Sequence, residues 1–116
     1  MKSPSYFLYA RKSTDDEERQ QLSIPSQIDE LRAFAQKEGL LIVDCLIETK
    51  TAKEPGREIF NTMLSRIKNG EASGILAWHP DRLARNAVDA GQIVYFLDQN
   101  LLVDLKFPTF WFQNTS

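Results

Sequence analysis

A chain of 116 residues has room for one compact domain, which would bury roughly two thirds of its unfolded surface. Hydrophobic residues at 42% beside 26% charged residues exclude the disordered and membrane classes. No apolar run approaches the ~20 residues that span a bilayer, and the opening MKSPSYFLYA has neither the apolar core nor the cleavage site of a signal peptide, so the default expectation is a cytoplasmic protein. Fourteen basic against 16 acidic residues give a net charge of -2, which is not the footprint of a self-sufficient nucleic-acid binder. Any phosphate chemistry must therefore come from local clustering. The single cysteine, Cys45, rules out an intrachain disulfide or a cysteine-based metal site, and its place in the apolar run LLIVDCLI marks it as a structural thiol.

In chain order, Ser5 to Ala10 (SYFLYA) is a short aromatic-rich run that reads as a buried strand. Residues 11 to 22 are polar, and the acidic stretch Asp15 to Glu18 reads as a solvated loop or frayed turn. Ser23 has the character of a helix N-cap, with Pro25 in the first turn, Ile24, Ile28, Leu31 and Ala35 on one face, and Gly39 as terminator. Leu40 to Ile47 is almost continuously apolar and predicts a second strand covered on both faces. After the loop ETKTAKEPG, the segment from Arg57 to about Asn69 sets Ile59, Phe60, Met63, Leu64 and Ile67 on one stripe and ends at Gly70, a second helix. Gly74 to Trp78 (GILAW) predicts a third strand, with Trp78 in the core. Ala84 to Gln99 predicts a third helix with Ala87, Val88, Gly91, Val94 and Tyr95 facing inward, and Leu101 to Phe107 a fourth strand. Strands alternating with helices imply right-handed crossovers: a three-layer α/β domain around a mostly parallel sheet of four strands or slightly more. The terminal PTFWFQNTS has no element of its own, and its large aromatics predict that the natural chain continues.

Open parallel sheets hold their ligands at the carboxyl ends of the strands. Three polar clusters fall there: Arg11, Lys12, Ser13 and Thr14 after the first strand, His79, Pro80, Asp81, Arg82 and Arg85 after the third, and Arg57 at the mouth of the second helix. Helix N-termini in the same region would add N–H donors for an anion. Guanidinium groups grip phosphate oxygens in bidentate fashion and stay protonated, which suits them to a pentavalent phosphoryl transition state. Ser13 stands among them as a candidate nucleophile that nearby positive charge would activate. From the residues alone, a helix cap or a serine turn is the plainer reading of Ser13.

YARKST at residues 9 to 14, Gln27 within SIPSQIDEL, Arg57 within EPGREIFNTML, and DRLAR at residues 81 to 85 resemble, in order and spacing, the motifs of the resolvase and invertase family of serine recombinases. The acidic stretch after ARKST and the SIxxQ segment are similar to the large or transposon-associated branch. The resemblance covers nearly the whole chain and implies the catalytic domain of a site-specific DNA recombinase working without metal or cofactor. Ser13 would attack a DNA phosphodiester to give a 5'-phosphoserine link and a free 3'-hydroxyl. Arg11, Arg57, Arg82 and Arg85 would hold the scissile phosphate, and Asp81 would orient an arginine or shuttle a proton. Gln27 would support the active-site loop, Tyr9 would pack beneath it, and Glu48 would take the place of the family's acidic residue after the second strand, as a structural group or a solvated strand end. The family's partners follow: double-stranded DNA, a homodimer assembling to a tetramer, and no membrane. In the family a long dimerisation helix and a DNA-binding domain come next, so residues 1–116 are expected to be the N-terminal catalytic domain alone, with little DNA affinity and no recombination by itself. Where the small resolvases carry a glutamine four residues after the serine, this chain has Glu17.

Some residues get the plainer reading. His79 is the sole histidine and without companions makes no metal site, and Lys12 reads as a phosphate neighbour or surface group. Two rivals stay open: a non-catalytic α/β module binding a nucleotide or other anion through its arginines, against which stands the absence of a glycine-rich phosphate loop, and an interaction domain that keeps the fold without the chemistry.

Overall fold

The computed structural model describes residues 4–11, 23–48, 57–84 and 86–108. Its elements run β1 (Ser5–Arg11), α1 (Ile24–Glu38), β2 (Leu41–Glu48), α2 (Glu58–Lys68), β3 (Gly74–Ala77), α3 (Pro80–Leu83), α4 (Ala87–Asp98) and β4 (Asp104–Lys106). The four strands form one sheet in the order β2-β1-β3-β4, with every pairing parallel.

Alternation along the central strand builds the layers. Phe7 and Tyr9 of β1 join Ile75 and Ala77 of β3 on one face, where Phe60, Met63, Leu64 and Ile67 of α2 and Ile93 of α4 pack on them. Leu8, Ala10 and Leu76 point to the other face, against Leu31 and Ala35 of α1. Helices thus cover both faces of the sheet, and each large apolar side chain buried this way is worth about 1.5–3 kcal/mol.

The helix ends follow local chemistry. Ser23 caps α1 by accepting the Ser26 amide at 3.3 Å, and Gly39 closes it at φ 70°. At the end of α2, Gly70 takes φ 88° and donates to the Ile67 carbonyl at 2.9 Å. Gly74 meets a different demand: a Cβ there would lie 2.5 Å from the Tyr6 ring, so β3 approaches β1 this closely only without a side chain.

Five expectations are corrected. The strand β2 is covered only in part: it is an edge strand, with Leu41, Val43 and Ile47 exposed, and the register slips opposite Tyr6 and Phe7 where Val43 is looped out of the pairing. The helix expected from Ala84 begins later: Asn86 starts α4 by accepting the Asp89 amide at 2.8 Å, and a separate turn, α3, precedes it. The inward face of α4 is Asp89 and Ile93, with Phe96 and Leu97 packed on the core, while Val88, Val94 and Tyr95 are exposed. The fourth strand shrinks to three residues, and Trp78 lies half-buried just past β3. No described helix is long and apolar enough to cross a membrane. The aromatic end from residue 109 onward lies outside the described residues.

Candidate active site

The strand order creates the crevice. From β1 the chain crosses by α1 on one face, and from β3 it leaves toward α4 on the other, so the connections that follow these paired strands part at a topological switch point. Arg11 ends β1, Glu48 ends β2, and the turn α3 begins three residues beyond β3, so all three strand ends deliver charged residues to one edge.

At that edge lies an unusual density of buried charge. Arg11 and Arg57 are each 1% exposed, Arg82 3%, Glu48 2% and Asp89 1%. Buried ions are tolerated only when paired and hydrogen-bonded, and the pairings explain the arrangement. Arg57 donates through Nε and Nη2 to Asp89 Oδ2 at 3.1 and 2.7 Å, through Nη2 to the Leu83 carbonyl at 2.7 Å, and through Nη1 to the Tyr9 hydroxyl at 2.9 Å. Its guanidinium also lies 4.2 Å from the centre of the Phe60 ring. The Tyr9 hydroxyl donates onward to Glu48 Oε1 at 2.9 Å. A continuous chain therefore runs Asp89, Arg57, Tyr9, Glu48.

Glu48 closes that chain on a helix. Its Oε1 accepts the Phe60 amide at 2.7 Å and its Oε2 the Ile59 amide at 3.2 Å. Arg57, at the N-cap position of α2, gives no side-chain cap, so a carboxylate from β2 caps the helix instead and faces the positive end of its dipole. This corrects the expectation that helix N-termini here offer N–H donors to an outside anion: at α2 the protein's own carboxylate takes them.

Arg11 is held from two sides. Its Nε donates to the Arg82 carbonyl at 3.3 Å, and its own carbonyl accepts Gln27 Nε2 at 3.0 Å. Two backbone carbonyls of one short turn, those of Arg82 and Leu83, thus anchor arginines from two other segments. Both guanidiniums act on the Tyr9 hydroxyl, but burial dominates and pushes its pKa above the ordinary value of 10.0. Among the described side chains of this edge, three guanidiniums stand against two carboxylates, a local excess of positive charge in a chain of net charge -2.

Tyr9, Arg11, Gln27, Glu48, Arg57 and Arg82 are brought together. Ser13, Lys12 and Glu17 lie outside the described residues, as does Arg85; Asp81 is placed in α3, its side chain outside the description. His79 is half-buried just before α3, and among the described residues no cluster of His, Cys, Asp or Glu could hold a metal ion. Cys45 is partly buried, and burial raises its thiol pKa. Sequence reasoning missed Asp89. Its signal was the spacing Asn86-x-x-Asp89, an N-cap and its third helical residue, with the cap two residues beyond the expected start of the helix.

The family model for the resolvase N-terminal domain matches residues 6–114. Among solved structures, the C-terminal catalytic domain of ISC1926 TnpA, an IS607-like serine recombinase, is similar at 18% identity over 89% of this chain and 68% of that one, with a TM-score of 0.71. The N-terminal catalytic domain of TP901-1 integrase is similar at 22% identity over 90% of this chain and 78% of that one, TM-score 0.72. A resolvase family site-specific recombinase from Streptococcus pneumoniae is similar at 24% identity over 92% of this chain and 74% of that one, TM-score 0.68. At these identities the structural likeness speaks to the fold, and the parallel α/β sheet described above is that fold. The match over residues 6–114, nearly the whole chain, assigns membership: the chain belongs to the resolvase N-terminal domain family.

Proposed function

We propose that this chain is the catalytic domain of a serine site-specific DNA recombinase, part of a longer cytoplasmic protein that binds double-stranded DNA as a homodimer assembling to a tetramer. The observation that carries the reading is the convergence of Arg11, Arg57 and Arg82, from three separate segments, on the crevice edge where β1 runs into the segment that contains Ser13. Family membership supports it and does not favour the rival reading as a nucleotide-binding module.

In this mechanism the Ser13 Oγ attacks the scissile phosphorus, the P–O3' bond breaks, and the serine proton ends on the departing 3'-oxygen. The product is a 5'-phosphoserine link beside a free 3'-hydroxyl, and the reverse attack by a new 3'-hydroxyl rejoins the strand. Arg11, Arg57, Arg82 and Arg85 hold the phosphate and offset the charge that builds on its oxygens; one such donor is commonly worth roughly 3–4 kcal/mol in the barrier. Asp81 orients an arginine or passes the proton. Gln27, on the Arg11 carbonyl, steadies the point where β1 gives way to the nucleophile's segment. Tyr9 and Glu48 fix Arg57 and the mouth of α2 from below.

The test is covalent trapping: the full-length protein is incubated with a nicked suicide duplex and the phosphoserine adduct is mapped. Wild type is expected to yield an adduct on Ser13, and Ser13→Ala none. Adduct formation by Ser13→Ala, or nucleotide binding without any DNA linkage in the wild type, would overturn the proposal. The isolated domain is expected to bind duplex DNA only weakly at physiological salt, and tight binding would contradict the division of labour.

A further inference from the structure

Asp89 is a buried carboxylate with no part in the mechanism above. It is 1% exposed, and its Oδ2 accepts Arg57 Nε at 3.1 Å, Arg57 Nη2 at 2.7 Å and Asn86 Nδ2 at 2.9 Å. Its amide is in turn bound by Asn86 Oδ1 at 2.8 Å. The carboxylate is therefore fixed by the first turn of α4, and Asn86 reads its side chain and its backbone at once.

What this does to Arg57 follows from counting donors. A guanidinium has five N–H groups. One on Nε and two on Nη2 go to Asp89 and Leu83, and one on Nη1 goes to Tyr9. One N–H of Nη1 is left over by these contacts, and its direction is set by the other four. The charge of Arg57 is matched by Asp89 within the protein, so what it offers a phosphate is one aimed hydrogen bond more than a free positive charge. Such an arrangement contributes by orientation, and a displacement of ~1 Å at a positioning group can slow a reaction about a hundredfold.

We infer that Asp89, held by the side chain of its N-cap residue Asn86, is a positioning residue that aims the Arg57 guanidinium at the scissile phosphate, so that the start of α4 belongs to the active site although it touches no substrate. The inference rests on the proposed role of Arg57 in phosphate binding. It carries a sign that a merely structural role lacks. Removing the negative charge of Asp89 makes the edge more positive, so DNA affinity holds or rises while the cleavage step slows.

The experiment is a double-mutant cycle in the full-length protein with wild type, Arg57→Ala, Asp89→Asn and the double variant. DNA affinity and the rate of phosphoserine formation on a nicked suicide duplex are measured separately, below the melting temperature of every variant. Asp89→Asn is expected to slow adduct formation roughly tenfold to a hundredfold with DNA affinity undiminished. In the Arg57→Ala background the same change is expected to alter the rate by less than about threefold, because the residue it acts through is gone. An equal fall in both backgrounds, or a loss of DNA affinity parallel to the loss of rate, overturns the positioning role. If Arg57→Ala itself cleaves at the wild-type rate, the assignment of Arg57 to the phosphate fails first and takes the inference with it, a result distinct from the others. Should Asp89→Asn not fold, because it leaves a buried guanidinium uncompensated, Asp89→Glu keeps the charge and lengthens the side chain by one methylene. A slowed adduct with undiminished DNA affinity then supports the inference, and a wild-type rate overturns it.

Discussion

The carboxylate that caps α2 from across the sheet offers a quantitative test of how this domain is held together. In Glu48→Gln one oxygen becomes an amide nitrogen that cannot accept. The best orientation keeps the carbonyl at the Oε1 position, serving the Tyr9 hydroxyl and the Phe60 amide, and turns the NH2 group toward the Ile59 amide that Oε2 now satisfies at 3.2 Å. Two donors then face each other. Stranding one buried donor costs about 1–3 kcal/mol, and losing a negative charge at a helix N-terminus about 0.3–1 kcal/mol more. The expected loss is therefore roughly 1.5–4 kcal/mol, a large share of the ~5–15 kcal/mol that keeps a small domain folded. Urea unfolding of the domain, followed by far-ultraviolet circular dichroism, measures it directly, with the m-value unchanged. A loss below about 0.5 kcal/mol would mean that the first turn of α2 does not depend on Glu48, and the account of the buried chain from Asp89 to Glu48 would be wrong.

Other outcomes follow from the same geometry. Burial raises the hydroxyl pKa values of both Tyr6, which donates to Asp104, and Tyr9 above the ordinary 10.0. A group raised in the folded state stabilises it fully below the unfolded pKa and ceases to do so as pH climbs, so alkaline unfolding should begin above about pH 10; a tyrosinate absorbance titration should show these two rings ionising only as the fold is lost. Asp44 behaves oppositely: the Arg66 side chain at 2.9 Å and the Cys45 amide hold its carboxyl below the ordinary 3.8. Its stabilisation is present above that value and lost as pH falls through the lower folded one, so the stability gap between wild type and Asp44→Asn should be small, being half-exposed, and should close in acid. Gly74→Ala should destabilise by about 1–3 kcal/mol in a thermal or urea melt, because the new methyl meets the Tyr6 ring at 2.5 Å. Ile93→Ala should lose about 2–4 kcal/mol where Val94→Ala loses under ~0.5 kcal/mol, and equal losses would refute the assigned face of α4.

Local signals announced β1, α1 and α2 in the sequence. Ser23, Pro25 and Gly39 bound α1, and the stripe through Phe60, Met63 and Ile67 needs only helical spacing to be recognised. What failed was information that neighbours hold. A continuous apolar run such as Leu41 to Ile47 reads alike for a central and an edge strand, and only the order β2-β1-β3-β4 decides. Along α4 the chain is apolar nearly all round, and the choice that puts Val88 and Tyr95 inward is turned from the real one by two positions, about 200°. The error has a physical source: an aspartate is a poor candidate for the inside until Arg57, 32 residues earlier, is known to be waiting for it. The candidate site was legible as residue types in order, and the structure fastens Arg11 and Arg57 to the backbone oxygens of residues 82 and 83. Which donor goes to which acceptor was not, since those choices are made by the packing of α3 and α4.

The arginines of this edge are held in an unequal way. Asp89, Tyr9 and Glu48 are side chains that a single base change in the gene can replace, whereas the oxygens of residues 82 and 83 that fasten Arg11 and Arg57 belong to the peptide chain itself. Every amino acid supplies a carbonyl there, so a substitution at residue 82 or 83 removes what its side chain does, a guanidinium at the edge or an apolar group in the core, and leaves the two acceptor oxygens in the chain. The part Arg82 plays in the chemistry can therefore be removed by substitution without removing the oxygen that holds Arg11.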